Sequence, residues 1–306
     1  SLIVTHISRN YYDGDFMENV LVEAHGMLFD ILVIGVLILF LNKLVEKRLD
    51  NRRYRDEIDD FRGWESEEAA YRNAGNLKRL KRNGYKGEID LSKCYLGGVD
   101  LQKDGLLEYI KPYLVNVNFA YGRLNAVKLQ GVDLRCANFL EANLKGADLR
   151  GANLMGAEFE SAILCVTDFR DTNLREVLFQ GANLQHATLQ GADLRGARLH
   201  KARLQHAKLQ GTNLRGAIFQ SANFQDASLE GADFEEAVLR QAVFERANVE
   251  NTNLLNADLQ NVDLRGVMNL TLDQLSEVKS LYKAKLNTEL LEQVKEKYPR
   301  LLDEPK

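Results

Sequence analysis

A five-residue period runs through the middle of this chain and constrains its fold more than any other feature. Every fifth residue from Leu114 to Leu264 is Leu, Phe or Val without a break. The residue two positions earlier is nearly always Ala, Val or Thr, with Pro112 and Gly122 as early exceptions. This period matches neither the 3.6-residue turn of an α-helix nor the alternation of a β-strand, so ordinary amphipathic elements are excluded.

A solenoid accounts for the period if each five residues form one side of a square coil. The Leu or Phe and the small residue then point inward, and the other three residues face outward. Small residues are required because side chains from four sides converge on a narrow axis. Phe supports the count of four sides, because five Phe residues are separated by multiples of twenty. They are Phe119, Phe139, Phe159, Phe179 and Phe219.

The repeated words follow the motif A-[DN]-L-x-x, as in ANLKGADLRGANLMG over residues 142–156. In this motif the chain resembles the pentapeptide-repeat family across residues 88–267. The resemblance implies an all-β solenoid, namely a right-handed quadrilateral β-helix with twenty residues per coil. An N-terminal transmembrane helix and helical caps complete the fold class that we predict.

We predict five segments in the chain. They are an extracytoplasmic segment at 1–26, a transmembrane helix at 27–45, a juxtamembrane helical linker and cap at 46–86, the β-helix at 87–268 and a helical C-terminal cap at 269–306. The first repeats, up to Leu101, run in a different register, so residues 104–113 are interpreted as an insertion. Such an interruption suits a binding loop, and a capping irregularity is an equal alternative.

The membrane prediction starts from residues 31–41, which contain no polar side chain. Extending this run to residues 27–45 gives a helix ~28 Å long, about the thickness of the hydrocarbon core of a bilayer. The extension includes Asp30 near one end and Lys43 near the other, where the lysine stem can reach the headgroups. A buried helix in a soluble dimer is the alternative.

Charge asymmetry predicts the orientation of this helix. Basic residues follow it at Lys43, Lys47, Arg48, Arg52, Arg53 and Arg55, whereas Asp13, Asp15, Glu18 and Glu23 precede it. The positive-inside rule therefore places the repeat domain in the cytoplasm, on a single-pass protein of the cell membrane. Three cysteines with no C-x-x-C pair fit a reducing compartment.

Helix signals flank the repeats on both sides. Ser66 followed by two glutamates, and Asn83-Gly84 at the other end, predict a helix from Glu67 to Arg82. Thr271 and Gln274 form a capping-box pattern that opens a short helix, and Asn287 is placed to cap a final helix that ends before Pro299. Such caps cover the open ends of a solenoid.

Two outward columns are the candidate partner-binding sites, because residues twenty apart stack. The arginine column consists of Arg175, Arg195 and Arg215 and invites a phosphate or an acidic partner. The apolar column consists of Leu178, Ile218 and Val238, is interrupted by Arg198, and is a candidate protein contact. An ordinary solvated face remains the alternative for both columns, since Asp193 could neutralise Arg195.

Catalysis is not expected, and neither a metal nor a cofactor is predicted. We place His186, His200 and His206 on separate sides of the coil, without a nearby cysteine or carboxylate pair at ligand spacing. The chain has no P-loop, dinucleotide-binding or G-x-S-x-G motif. Nucleic-acid binding is not expected either, because no basic face is interleaved with aromatic residues.

The charge distribution separates two functional hypotheses. Between Arg195 and Arg215 the charged residues are all basic, whereas residues 226–263 carry nine acidic residues against two arginines. The first hypothesis is a membrane-tethered cytoplasmic scaffold that binds an unknown protein, with a homodimer left open. The second follows from the family resemblance, since several members imitate B-form DNA to inhibit type II topoisomerases such as gyrase.

Overall fold

The computed structural model describes residues 14–85, 90–97, 99 and 114–305. The chain divides into two units, with the boundary between Arg53 and Tyr54. Helix α1 runs over Gly14–Asp60 and contributes nearly all of the described first unit. The second unit contains the last turns of α1, helix α2, the repeats and the C-terminal elements.

Within α1 lies one segment, Glu23–Asp60, that is long and apolar enough to cross a membrane by length and composition. None of its most apolar window is buried, and Leu39 is 71 % exposed. The helix is longer than the predicted 27–45 at both ends. Neither proline nor a turn signal interrupts residues 14–60, so the polar flanks continue the helix.

Helix α2 spans Glu67–Arg82, as the capping signals predict. The Ser66 hydroxyl accepts a hydrogen bond from the Ala69 amide at 3.1 Å, which satisfies one free amide of the first turn. Gly84 adopts a φ of 69° just after the last turn. The buried face of α2, which includes Leu77 and Leu80, joins the core of the first coil and so covers that end of the solenoid.

The repeats form the predicted four-sided β-helix, and its rungs are single-residue parallel bridges between positions twenty apart. Asn138, for example, bridges Glu158 in the next coil. The Leu134 amide donates to the Asn153 carbonyl at 2.7 Å, and the Asn138 amide donates back to the Val117 carbonyl at 2.9 Å. Backbone hydrogen bonds therefore join every coil to both neighbours.

The inward positions are almost completely buried along the whole β-helix, which confirms the assignment of the Leu/Phe and small positions to the interior. Phe119, Phe139, Phe159 and Phe179 stack with ring centroids 4.5–5.1 Å apart, and Leu199 separates this ladder from Phe219. The aromatic ladder therefore marks one side of the square, as the twenty-residue spacing predicts.

Threonine occupies some of the small inward positions at little cost. The buried Thr167 hydroxyl donates to the Leu144 carbonyl at 2.9 Å, and the Thr212 hydroxyl donates to the Leu189 carbonyl at 3.0 Å. A buried hydroxyl needs such a partner, and the preceding coil supplies it. The backbone of one coil thus satisfies side chains of the next.

The first coil differs from the others in its offset. Asp90 bridges Asn118 and Tyr95 bridges Arg123, so both pairs are separated by 28 residues rather than by twenty. The eight additional residues confirm an insertion between the first and second coils. The predicted insertion at 104–113 lies outside the described residues.

The C-terminal elements follow the predicted order. Helix α3 spans Leu272–Ser276 behind a complete capping box of Thr271 and Gln274. Residues 277–286 then return to the solenoid, where Ser280 bridges Asp258. Helix α4 spans Thr288–Lys297 and is capped by the Asn287 side chain. A 3₁₀ turn at Pro299–Leu302 follows.

Each side of the coil ends in a turn residue with positive φ. Glycine occupies many of these positions, including Gly146 with a φ of 69°. Val166, directly above Gly146 in the next coil, has a φ of 62° and is 56 % exposed. A β-branched residue is strained in this conformation, whereas Asn tolerates it. Asn251, Asn256 and Asn261 occupy equivalent turn positions.

We therefore expect Val166→Asn to increase the free energy of unfolding by about 0.5–1 kcal/mol through relief of that strain. The matched change one coil below, Gly146→Val, should decrease it by about 1–2 kcal/mol, although nothing lies within 4 Å of the added Cβ. Denaturant unfolding of the two variants measures both effects. Equal responses of the two variants would contradict the assignment of backbone strain.

Candidate partner-binding faces

Each side of the coil presents one outward side chain on its flat part and two at the following corner. Where the flat residue is Asn or Asp, its side chain accepts a hydrogen bond from the backbone amide two residues later. The Leu140 amide donates to Asn138 Oδ1 at 2.8 Å, and the Lys145 amide donates to Asn143 Oδ1 at 3.1 Å. This contact explains the [DN] position of the motif, because the side chain satisfies an amide at the corner.

Five of these aspartates also hold an arginine two residues later. In each pair the guanidinium donates to the carboxylate with contacts of 2.6–3.2 Å. The pairs are Asp133–Arg135, Asp148–Arg150, Asp168–Arg170, Asp193–Arg195 and Asp263–Arg265. The motif D-[LF]-R is the sequence signal for such a pair, and it also occurs at Arg150, Arg170 and Arg265.

The structure stacks the arginine column as expected and also supplies each arginine with an acidic neighbour. The Arg195 guanidinium donates to both oxygens of the Asp193 carboxylate, and Arg175 Nε lies 3.8 Å from the same carboxylate. Arg215 Nη2 donates to Glu235 at 2.6 Å and Nη1 lies 3.6 Å from Asp233. Three arginines therefore face three carboxylates, and the column presents little net charge to a partner.

The same contacts shift the acid–base properties of the carboxylates. The hydrogen bond from Arg195 is the largest cause of a lowered pKa for Asp193. At Asp263 the hydrogen bond from Arg265 dominates, with smaller contributions from the Arg265 amide and from Lys285, and the pKa falls to about 2. Both aspartates therefore keep their negative charge to a lower pH than an ordinary aspartate does.

The apolar column occupies the flat positions of the side that carries the Phe ladder. Leu178, Ile218 and Val238 are all half-buried, and Arg198 between them is exposed. Successive bridges join Leu178 to Arg198, Arg198 to Ile218 and Ile218 to Val238. The three predicted apolar residues therefore lie on one line along the β-helix, with Arg198 between Leu178 and Ile218.

Ion pairs neutralise most of the acidic coils at residues 226–263. Six of the nine carboxylates there contact an arginine, and one of these six also contacts a lysine. They are Asp226, Asp233, Glu235, Glu245, Asp258 and Asp263. The remaining three are Glu230, Glu236 and Glu250. The strongly acidic surface suggested by the sequence count is therefore mostly internally compensated.

The histidines do not all lie on separate sides, which corrects the sequence prediction. The rings of His186 and His206 stack at 4.7 Å with an interplanar angle of 6°, because these residues are twenty apart on one corner. His206 Nδ1 also lies 4.0 Å from Asp226. Within the described parts of the chain, no group of three or more His, Cys, Asp or Glu residues has the geometry to hold a metal ion.

Family models confirm the repeat. The model described as "Pentapeptide repeats" matches eight copies, over residues 113–151, 123–160, 167–200, 197–235 and 232–267. No curated protein sequence matches the chain.

Solved structures with similarity to the chain are pentapeptide-repeat proteins. HetL from the cyanobacterium Nostoc sp. strain PCC 7120 is 25 % identical, with 69 % of this chain and 90 % of HetL covered and a TM-score of 0.41. QnrB1, a plasmid-mediated fluoroquinolone resistance protein, is 21 % identical, with 59 % and 94 % covered and a TM-score of 0.36. A thylakoid-lumen protein of Arabidopsis thaliana is 31 % identical, with 37 % and 68 % covered and a TM-score of 0.22.

Acid titration tests the aspartate–arginine pairs. A lowered folded-state pKa contributes stability above the unfolded value of about 3.9. For Asp263 this contribution is lost as the pH falls toward about 2. We expect the melting temperature to fall over this pH range, and Asp263→Asn to reduce part of the fall. The control Asp171→Asn removes a carboxylate without a basic partner in the described chain, so its pH profile should match the wild type. Identical profiles for both variants would contradict the role of the pair.

Proposed function

This chain belongs to the pentapeptide-repeat family, and we propose that it is a membrane-tethered cytoplasmic interaction module whose β-helix binds a partner protein. The observation that carries the proposal is the apolar window of α1, none of which is buried. Exposing that much apolar surface to water is unfavourable, and a bilayer removes the cost.

The charges around α1 support the orientation. Basic residues from Lys43 onward follow the apolar window, and the acidic residue Glu23 precedes it. A helix with this asymmetry inserts with its basic end in the cytoplasm. The repeat domain then lies on the cytoplasmic side of the cell membrane, attached through residues 27–45.

The β-helix supports the binding role because it is a preformed surface. Backbone hydrogen bonds fix each coil to the next, and the interior is filled with side chains. Because the surface is already ordered, little conformational entropy of this chain is lost when a partner binds, and the affinity is correspondingly higher. Binding rather than catalysis is therefore the activity that we propose.

Of the two predicted columns, we propose the apolar column as the main protein contact. Leu178, Ile218 and Val238 can bury apolar surface on docking, whereas Arg175 and Arg195 already face Asp193. We retain the arginine column as a secondary contact, for a partner whose own carboxylates replace Asp193 as the groups that bind the arginines. Rim charges of this kind affect association rate more than affinity.

Inhibition of a type II topoisomerase by DNA mimicry is the alternative proposal. It requires a regular array of unpaired negative charges, and within residues 226–263 only Glu230, Glu236 and Glu250 have no basic partner. A gyrase supercoiling assay with the purified chain tests it. Inhibition at submicromolar concentration would favour the alternative over a purely scaffolding role.

Cell fractionation with cysteine labelling tests the tether. Cys136 and Cys165 are replaced by Ser, while Cys94 remains because burial raises its pKa to about 12 and keeps the thiol unreactive. Single cysteines are then introduced as Glu23→Cys and Lys47→Cys, on either side of residues 27–45.

We expect the chain to stay in the membrane fraction after an alkaline wash. A membrane-impermeant maleimide should label the Glu23→Cys variant in intact cells and the Lys47→Cys variant only after lysis. The parent chain, which carries both Ser substitutions and no introduced cysteine, gives the background level of labelling. A soluble chain would overturn the tether, and the reverse labelling pattern would overturn the cytoplasmic placement of the repeats.

A further inference from the structure

The side that carries the apolar column also carries charges with no opposite charge beside them. We call this side the Leu178 face and define it as the flat residues 118, 138 and so on to 258, with the two corner residues that follow two and three positions later. On it, Glu158 and Glu160 have no basic partner among the described residues. Burial and the nearby Glu158 raise the pKa of Glu160, which indicates an uncompensated acidic pair.

A basic group lies two coils further along the same face. Arg198 is exposed and has no acidic partner within the described chain. His200 Nδ1 is buried and accepts no hydrogen bond, and Lys201 follows at the same corner. The flanking coils provide only neutral neighbours here, such as Gln180 and Gln220. The face therefore presents an acidic group and a basic group, each uncompensated within its own chain.

These two groups are placed symmetrically about Leu178. Glu158 lies one coil before Leu178 and Arg198 lies one coil after it, as the consecutive bridges show. At about 4.8 Å per coil, each group is roughly 5 Å from the level of Leu178 along the axis. A twofold rotation about a line across the face at Leu178 exchanges the acidic level with the basic level.

We propose that a second copy of this chain docks on the Leu178 face, with the two β-helices antiparallel and a twofold axis at Leu178. Glu158 of each copy then faces Arg198 of the other, and Glu160 faces His200 and Lys201. Such an isologous contact pairs residue i with j and residue j with i, so one complementary pattern is used twice. The proposal rests on the apolar column as a protein contact and specifies its partner.

The neighbouring positions of the face fit the same register. Asn138 and Leu140 come opposite Ile218 and Gln220 of the other copy, so the half-buried Ile218 gains a cover. The corner that precedes the face is occupied by Gly156 and Gly196 in the coils on either side of Leu178, which permits close approach there. Arg175 and Glu176 each meet their own copy at this corner, where both positions are exposed and solvent screens the repulsion.

Other registers lose this complementarity. A parallel pair would place Glu158 and Arg198 at the same level as their own copies, so like charges would face each other. An antiparallel pair centred one coil further along would match Leu178 with Ile218 but would set Arg198 against itself. In that register Glu160 would face Arg240, which already binds Asp258 at 2.7 Å. Like charges across an interface are strongly unfavourable.

Charge reversal tests the proposal on the full chain in detergent, with the dimer dissociation constant measured by analytical ultracentrifugation. Glu158→Arg should weaken self-association at least about tenfold, and Arg198→Glu should do the same, because each creates two like-charge contacts per dimer. An equimolar mixture of these two variants should associate nearly as tightly as the wild type, since both of its contacts pair opposite charges.

Two matched controls lie on other sides of the coil. Arg203→Glu reverses a charge in the same coil as Arg198, and Glu250→Arg reverses an unpaired acid on a different corner. Both should leave the dissociation constant unchanged. Circular dichroism of all variants confirms that the β-helix is intact, so that a change in association reports the interface.

Disulfide trapping measures the register directly, in the background with Cys136 and Cys165 replaced by Ser. Asn138→Cys and Ile218→Cys chains should form a disulfide only when mixed, whereas Leu178→Cys chains should crosslink alone.

A monomeric wild type up to about 100 µM would overturn the proposal. Failure of the mixed charge variants to associate, or crosslinking of Asn138→Cys with itself, would overturn it as well. These results are independent of the membrane fractionation, because a soluble chain can still form the dimer and a tethered chain can still be monomeric. If the chain is membrane-bound but monomeric, the partner of the apolar column is a different protein.

Discussion

The hydrogen bonds that join consecutive coils are the interaction on which the whole structure depends. Each side of the coil donates amides to both neighbouring coils, since the Leu134 amide donates to the next coil and the Asn138 amide donates to the previous one. These bonds require an offset of twenty residues, and that offset fixes the interior spacing. The interior of the coil is filled by small residues near the axis, together with Leu or Phe beside them. The ends of such a stack expose unpaired backbone, and α2 at the first coil covers one of them.

The same offset organises the outer surface, because it places each outward residue above its counterpart in the previous coil. The arginines on this surface are therefore neutralised locally, either by the aspartate two residues earlier or by an acidic residue in the neighbouring coil. The arginine column shows the consequence, since stacking alone suggests a strongly basic site and the acidic neighbours remove most of its net charge. Glu158 and Arg198 are among the uncompensated groups that remain, and both lie on the Leu178 face.

Much of the fold could be predicted from the sequence because its repeat has a single period and tolerates few alternatives. The interior positions, the Phe ladder, the bounds of α2 and the caps at Thr271 and Asn287 all followed from spacing and capping chemistry. The N-terminal end of α1 did not, because a polar flank is compatible with either helix or loop. The surface was predicted less well, since neutralisation of Arg215 depends on which side chains reach across coils. The stacking of His186 on His206 was available from their spacing and was missed.

Backbone hydrogen exchange, measured by NMR on the full chain in detergent, tests the coil-to-coil bonding most directly. The amide of the first corner residue donates to no carbonyl group, and where the flat residue is Asn or Asp it donates to that side chain, as Leu140 does to Asn138, whereas most other amides of the repeat donate to carbonyl groups. The account predicts slow exchange along the β-helix, interrupted by a fast amide at every fifth residue, such as Leu140 and Lys145. Protection with a helical period, or uniformly fast exchange through residues 134–264, would contradict it.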